Sequence, residues 1–220
     1  MSCGAAIFVK TPGLSPLKTR LAATIGAAAA THWYRLAASA TAAALAEVAE
    51  IAAYWAVAEP LALADAAWPV LPLLTQGTGP LGERMGRVHT ALVEEHGCGI
   101  LLGADTPQVD PAQLARAAAW LEDPAPRLVL GPARDGGFWL IGANRVLPAA
   151  KWTLAPCSRD DTAAGFRAAM SPFGAWLELP HLTDVDEAED LPSMLAEMKG
   201  LERPLAAQRE VIDASQPHIG

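Results

Sequence analysis

Gly99-Ile-Leu-Leu-Gly-Ala-Asp-Thr-Pro107 is the stretch on which the reading of this 220-residue chain turns. Its first five residues carry no polar side chain. As a strand they would need apolar surroundings on both faces, which is the pattern of a parallel strand sandwiched between helices. Asp105 follows two residues after the run ends. In open α/β sheets ligands gather outside the carboxyl ends of the strands, so this side chain emerges where chemistry is expected. A carboxylate there suits a hard divalent cation; magnesium typically takes one or two carboxylates together with substrate phosphates. The competing role, capping the next helix, is weakened because that helix begins later, at Asp110-Pro111.

On either side of this stretch, short apolar runs alternate with amphipathic ones, as strand–helix–strand units require. Ala5–Val9, Ile51–Val57 and Val70–Leu74 read as strands before the central one. Leu128–Leu130, Phe138–Ile141 and Trp176–Leu179 read as strands after it. Helices are expected over Thr19–Ile25, Ala27–Ala49, Glu83–Glu95, Pro111–Leu121, Arg159–Met170 and Glu187–Met198. In the third of these, Met85, Val88 and Leu92 share one face opposite Glu83, Arg87 and Glu94. The expectation is a single domain over residues 1–220, a three-layer α/β/α sandwich around a mostly parallel mixed sheet. The tail from about residue 204 is expected at the surface.

Composition narrows the function. A formal net charge of -8 argues against a nucleic-acid surface, which needs clustered Lys and Arg. The longest apolar run, Leu36 to Ala46, is mostly Ala and too short to span a bilayer, so no membrane partner is expected. Three widely spaced cysteines, Cys3, Cys98 and Cys157, form no C-x-x-C pair and fit reduced thiols in the cytoplasm. The five histidines form no H-E-x-x-H, and neither a G-x-S-x-G elbow nor a P-loop is present.

Four further segments carry candidate residues. Lys10, Lys18 and Arg20 surround a Pro/Gly-bearing loop after the first strand, and three cations at a strand end can hold a triphosphate. Gln76-Gly-Thr-Gly-Pro-Leu-Gly82 contains a formal G-x-G-x-x-G. It follows the third strand rather than the first, however, and Pro80 removes an N–H, so a dinucleotide site is not expected. Its glycines, Gly79 among them, either admit a ligand or make a turn. Arg134-Asp-Gly-Gly137 is a hairpin signal in which Asp135, Gly136 and Gly137 could also face an acceptor. Asp184-Val-Asp186 precedes the last predicted helix and pairs two carboxylates, whereas Glu187, Glu189 and Asp190 suit its N-terminal turn.

In order, Phe8-Val-Lys10 with Lys18-Thr-Arg-Leu21, Leu81-Gly-Glu-Arg-Met85, Gly103-Ala-Asp-Thr-Pro107, Gly131-Pro-Ala-Arg-Asp-Gly-Gly-Phe-Trp-Leu-Ile-Gly142 and Asp184-Val-Asp-Glu-Ala-Glu-Asp-Leu191 carry a resemblance. Together they resemble a glycosyltransferase-A-type family of uncharacterised bacterial transferases associated with radical-SAM/selenodomain proteins. They are more distantly similar to phospholactate and molybdenum-cofactor guanylyltransferases. Pro80 stands where that family commonly has Asp, and Thr153-Leu154 where it has Ser-Thr. The resemblance implies a Rossmann-like nucleotide-diphospho-sugar transferase fold. It also implies Mg2+ or Mn2+ on Asp105 with Asp184 or Asp186. Lys18 and Arg20, with Lys10, Gln76, Gly79 and Arg84, would lie on the nucleotide, and Asp135-Gly-Gly137 on a small-molecule acceptor. The activity expected first is transfer of a nucleotidyl group from a nucleoside triphosphate to a small phosphorylated acceptor. Glycosyl transfer from a nucleotide sugar comes second, and a non-catalytic nucleotide- or partner-binding module third.

Overall fold

Seven strands form one twisted sheet in the order β3-β2-β1-β4-β6-β5-β7 in the computed structural model, which describes residues 2–60, 64–153 and 162–219. The strands are β1 Cys3–Val9, β2 Ile51–Val57, β3 Leu73–Thr75, β4 Gly99–Gly103, β5 Arg127–Pro132, β6 Phe138–Ala143 and β7 Ala175–Glu178. All neighbours pair in parallel except β6, which runs antiparallel to both β4 and β5. The tight turn after Ala133 explains the exception. A connection this short returns the chain beside itself, and Gly136, at φ 88°, adopts the left-handed conformation it needs.

Alternation along β1 divides the core. Ala5, Ile7 and Val9 pack with α2 (Ala27–Ala46) and α4 (Pro111–Leu121) on one face. Ala6 packs on the other face with α3 (Leu81–His96), α5 (Ala149–Trp152) and α6 (Thr162–Met170). The result is the expected α/β/α sandwich. Helix α2 is buried on two sides, since Ala38 and Ala44 join the sheet core while Trp33, Ala37 and Ala40 join an outer cluster. That cluster also holds Leu21 of α1 (Thr19–Ile25) and residues of α7 (Leu191–Lys199) and α8 (Ala206–Ser215). Small side chains on two faces let neighbours approach closely, which accounts for the Ala-rich sequence of α2.

Several expectations change. The third strand begins at Leu73 rather than Val70, which is 94% exposed with φ 82°. Pro69 and Pro72 break the run, and their carbonyls accept from Trp55 Nε1 and Trp55 N at 2.9 Å each. The tail after Pro204 is not peripheral. Val211 of α8 is fully buried, and Gln208 donates to the carbonyls of Pro107 and Val109 at 3.0 Å. The long helix stops at Ala46 instead of Ala49. The start of the helix expected at Arg159, together with Leu154 and Cys157, lies outside the described residues.

On helix α3, His89 is fully buried 5.1 Å from the Trp152 ring. Burial pulls its pKa from 6.5 down to about 4, opposed by the backbone of Ala143. Between those values the unfolded chain takes up a proton that the folded one refuses. Stability is therefore expected to fall by about 3 kcal/mol as pH drops from roughly 6.5 to 4, with no contribution above that window. Denaturant titrations of the native protein and of His89→Leu across that range should show the extra slope in the native chain alone.

Candidate functional site

At the carboxyl edge of the sheet the crossovers diverge. From β1 the chain proceeds to β2 and β3 on one side and to β4 on the other, and the gap between β1 and β4 is where such sheets bind ligands. Three loops converge there through the backbone. Val185 N donates to Asp105 O at 3.2 Å, and Leu21 N donates to Asp186 O at 3.1 Å. Asp184-Val-Asp186 is thereby held between the β4 loop and the first turn of α1.

Lys18 is the centre of the arrangement. It opens α1 in a left-handed conformation, φ 39° and ψ 49°, uncommon for a residue with a side chain. This backbone turn accompanies an ammonium directed inward, with the side chain only 6% exposed. Nζ lies 2.5 Å from Asp105 Oδ2, 2.8 Å from Asp186 Oδ1 and 3.9 Å from Asp184 Oδ1. Burial opposes the charged amine, but Asp105, then Asp184 and Asp186, override it and raise the pKa of Lys18 above the ordinary value. Burial works against the Asp105 carboxylate too, yet the attraction of Lys18 holds its pKa below the usual range. Asp184 goes the other way. Burial and then the charge of Asp105 push its pKa well up, since three carboxylates share one ammonium here. Arg20 ion-pairs with Asp186 from the open side.

The fit to a divalent cation rests on two observations. Asp105, Asp184 and Asp186 each place a carboxylate oxygen within 4.8 Å of the others. Asp184 Oδ1 is buried with no hydrogen-bond partner. Hard oxygen donors, one of them orphaned, suit magnesium or manganese.

Two adjoining cavities meet at Asp105. One, of about 490 Å³, sets the cations Lys10, Lys18, Arg20 and Arg84 against Asp105 and Asp186 among its described lining residues. The other, of about 450 Å³, has the reverse balance. Among its described lining residues Asp105, Asp135, Asp184, Asp186, Glu187 and Asp190 face Arg20 alone, beside an apolar wall that includes Leu81, Met85 and Phe138.

Of the residues singled out from sequence, Gln76 lies buried beneath the cationic cavity. Its Nε2 donates to Ala56 O at 2.8 Å and Val9 O at 3.3 Å, and its Oε1 accepts from Arg84 Nη1 at 2.6 Å. The amide thus ties the ends of β1 and β2 together and aims Arg84. Gly79 lines neither cavity. The loop around it wraps the Arg87 guanidinium, which donates to the carbonyls of Gln76 and Thr78. Asp135 and Gly137 line the acidic cavity, where Asp135 Oδ1 accepts from Gly137 N at 2.9 Å. Gly136 shapes the turn instead. Glu187 and Asp190 form a capping box, and Asp190 Oδ2 also accepts from Asp186 N at 2.9 Å.

Sequence reading missed Glu197. Its carboxylate accepts from Thr183 N and Thr183 Oγ1 at 2.9 Å, from Gln108 Nε2 at 2.8 Å and from Arg134 Nε at 2.7 Å. These bonds anchor the residue immediately before Asp184. Nothing local marks this Glu, because its partners come from three distant segments. Glu197→Ala strips a charged acceptor from largely buried donors and is expected to cost about 2–3 kcal/mol in chemical denaturation. A loss under about 0.5 kcal/mol, the ordinary surface scatter, would show that the anchor is dispensable.

Comparisons with known proteins bear on the family and the fold. A family model described as "Uncharacterized protein conserved in bacteria (DUF2064)" matches residues 36–158. No curated protein matches the chain. Among solved structures, a putative nucleotide-diphospho-sugar transferase from Desulfovibrio desulfuricans G20 is 23% identical, with a TM-score of 0.81 and 99% of each chain covered. A CMP:2-keto-3-deoxy-manno-octonic acid synthetase complexed with CTP is 15% identical, TM-score 0.54, covering 91% of this chain and 99% of that one. A 4-diphosphocytidyl-2C-methyl-D-erythritol synthase from Anaerococcus prevotii DSM 20548 is 10% identical, TM-score 0.54, covering 92% and 97%. At these identities the likeness establishes the nucleotide-diphospho-sugar transferase fold.

Proposed function

Since the chain belongs to the bacterial DUF2064 family and folds as a nucleotide-diphospho-sugar transferase, we propose that it is a metal-dependent nucleotidyltransferase acting on a nucleoside triphosphate. The observation that carries this reading is the junction of a cationic and an acidic cavity at three carboxylates and one buried ammonium. Lys10, Arg84 and Arg20 would take the phosphates in the cationic cavity, with Gln76 holding Arg84 in position. Asp105, Asp184 and Asp186 would hold a divalent cation, which when bound supplies charge neutralisation for phosphate oxygens. An acceptor oxygen delivered from the acidic cavity would attack the α-phosphorus as pyrophosphate departs. Positioning and electrostatics suffice for such a transfer, so no activated side-chain nucleophile is required.

Glycosyl transfer from a nucleotide sugar is the second reading. It is favoured by the carboxylates of the acidic cavity, which are good acceptors for sugar hydroxyls. A thermal-shift screen of nucleoside triphosphates and nucleotide sugars, with magnesium or manganese, tests both. Turnover of the best binder should release pyrophosphate. Release of nucleoside diphosphate would move the assignment to glycosyl transfer. No stabilisation by any nucleotide would remove the enzyme reading altogether.

A further inference from the structure

We infer that the acceptor is a small amphipathic molecule without a phosphate, uncharged or cationic, carrying a hydroxyl or amine beside an apolar body. The inference deepens the proposed site and rests on it, but it arises from a separate observation, the opposite charge of the two cavities. On the nucleotide side, among the described lining residues, four cations face two carboxylates. On the acceptor side, among the described lining residues, six carboxylates face Arg20, and Arg20 is already engaged by Asp186. Lys18, or a divalent cation that displaces it, offsets charge only at Asp105, Asp184 and Asp186. The carboxylates of Asp135, Glu187 and Asp190 lie outside the cation-binding set and keep the wall negative.

A phosphorylated acceptor, the expectation from sequence, would enter this wall with no free cation among its described lining residues to receive it. Burying an anion against like charges is unfavourable, and like-charge juxtaposition is how sites reject wrong ligands. Carboxylates accept hydrogen bonds and offer none, so they match donors, namely O–H, N–H and ammonium groups. The apolar side of the same cavity sets the rest of the ligand. Leu81 and Met85 come from the first turns of α3, and Phe138 from the start of β6. Leu81 is 38% exposed at the helix end, so an apolar surface there remains available for a ligand to cover. A cavity of about 450 Å³ has the size of ordinary small-molecule sites.

The test uses three matched probes, hexylamine, 1-hexanol and hexyl phosphate. Each is titrated into full-length protein already saturated with manganese-free, magnesium-loaded nucleoside triphosphate, so that the cationic cavity is filled. Methyl-labelled Met85 reports occupancy by NMR. Hexylamine and hexanol should shift the Met85 signal, and hexyl phosphate should bind at least tenfold more weakly than hexylamine. In Asp135→Lys, which reverses one wall charge outside the cation-binding set, that preference should narrow or invert. Hexyl phosphate binding as well as hexylamine, or no probe shifting Met85, would overturn the inference. Failure of the nucleotide reading is seen separately, as absence of nucleotide binding in the first loading step.

Discussion

Replacing Lys18 with Met is expected to destabilise the metal-free protein by about 3 kcal/mol, the lower end of the cost of removing one partner from a buried ion pair. The ammonium is the cation shared by Asp105, Asp184 and Asp186, and its side chain is only 6% exposed. The three carboxylates keep between 25% and 35% exposure, so solvent screens part of their repulsion, which is why the lower end applies. Manganese at about a hundred times its dissociation constant should return roughly 2.7 kcal/mol by mass action. The same geometry makes the ammonium and a divalent cation competitors for one set of oxygens. Nucleotide-free Lys18→Met should therefore bind manganese more tightly than the native chain, whereas the native chain should need nucleotide to draw Lys18 away. Denaturation with and without manganese, and calorimetric titration of the metal, measure both effects. Unchanged metal affinity in the variant would mean that Lys18 does not guard the carboxylates.

Asp105→Asn is expected to abolish metal-dependent nucleotide stabilisation and to lower turnover by about a hundredfold or more, the scale set by losing one preorganised charge stabiliser. The substitution keeps the side chain's shape, and Lys18 retains Asp186 at 2.8 Å, so the fold should persist. Removing one of three crowded carboxylates also relieves the repulsion that lifts the pKa of Asp184. Melting temperature without ligand should thus stay near the native value or rise. Full turnover in the Asn variant would take Asp105 out of the site.

Much of the fold was legible in the sequence because its elements are bounded by strong local signals. Gly99–Gly103 and Pro111–Leu121 are observed with the expected bounds, and Asp110 caps the helix by accepting from Ala112 N at 2.8 Å. Capping by Asp110 also left Asp105 free of that duty, as the spacing had indicated. What the sequence did not reveal depends on contacts between distant segments. Helix α8 buries Val211 in a cluster that includes Leu21 and Trp33, and ties Gln208 to Pro107 and Val109, about a hundred residues away. Glu197 reads as one more surface acid until Thr183, Gln108 and Arg134 are seen around it. Charge patterning marks Lys18 as part of a cationic loop but does not distinguish a lysine that faces solvent, phosphate or carboxylates. Its left-handed backbone and inward ammonium belong to the tertiary structure. The charge division between the two cavities likewise draws on loops from both halves of the chain, and no single motif contains it.

On the proposed reading, Asp105, Asp184 and Asp186 hold a divalent cation between nucleotide and acceptor. The most direct measurement is the anomalous signal from crystals soaked with manganese and the best-binding nucleotide. One peak is expected about 2 Å from oxygens of Asp105 and at least one of Asp184 or Asp186. Lys18 Nζ should be withdrawn from Asp105 and nucleotide phosphate should lie on the side of Arg84. A manganese peak that touches none of the three carboxylates, or nucleotide bound with Lys18 still seated among them and no peak at all, would contradict it.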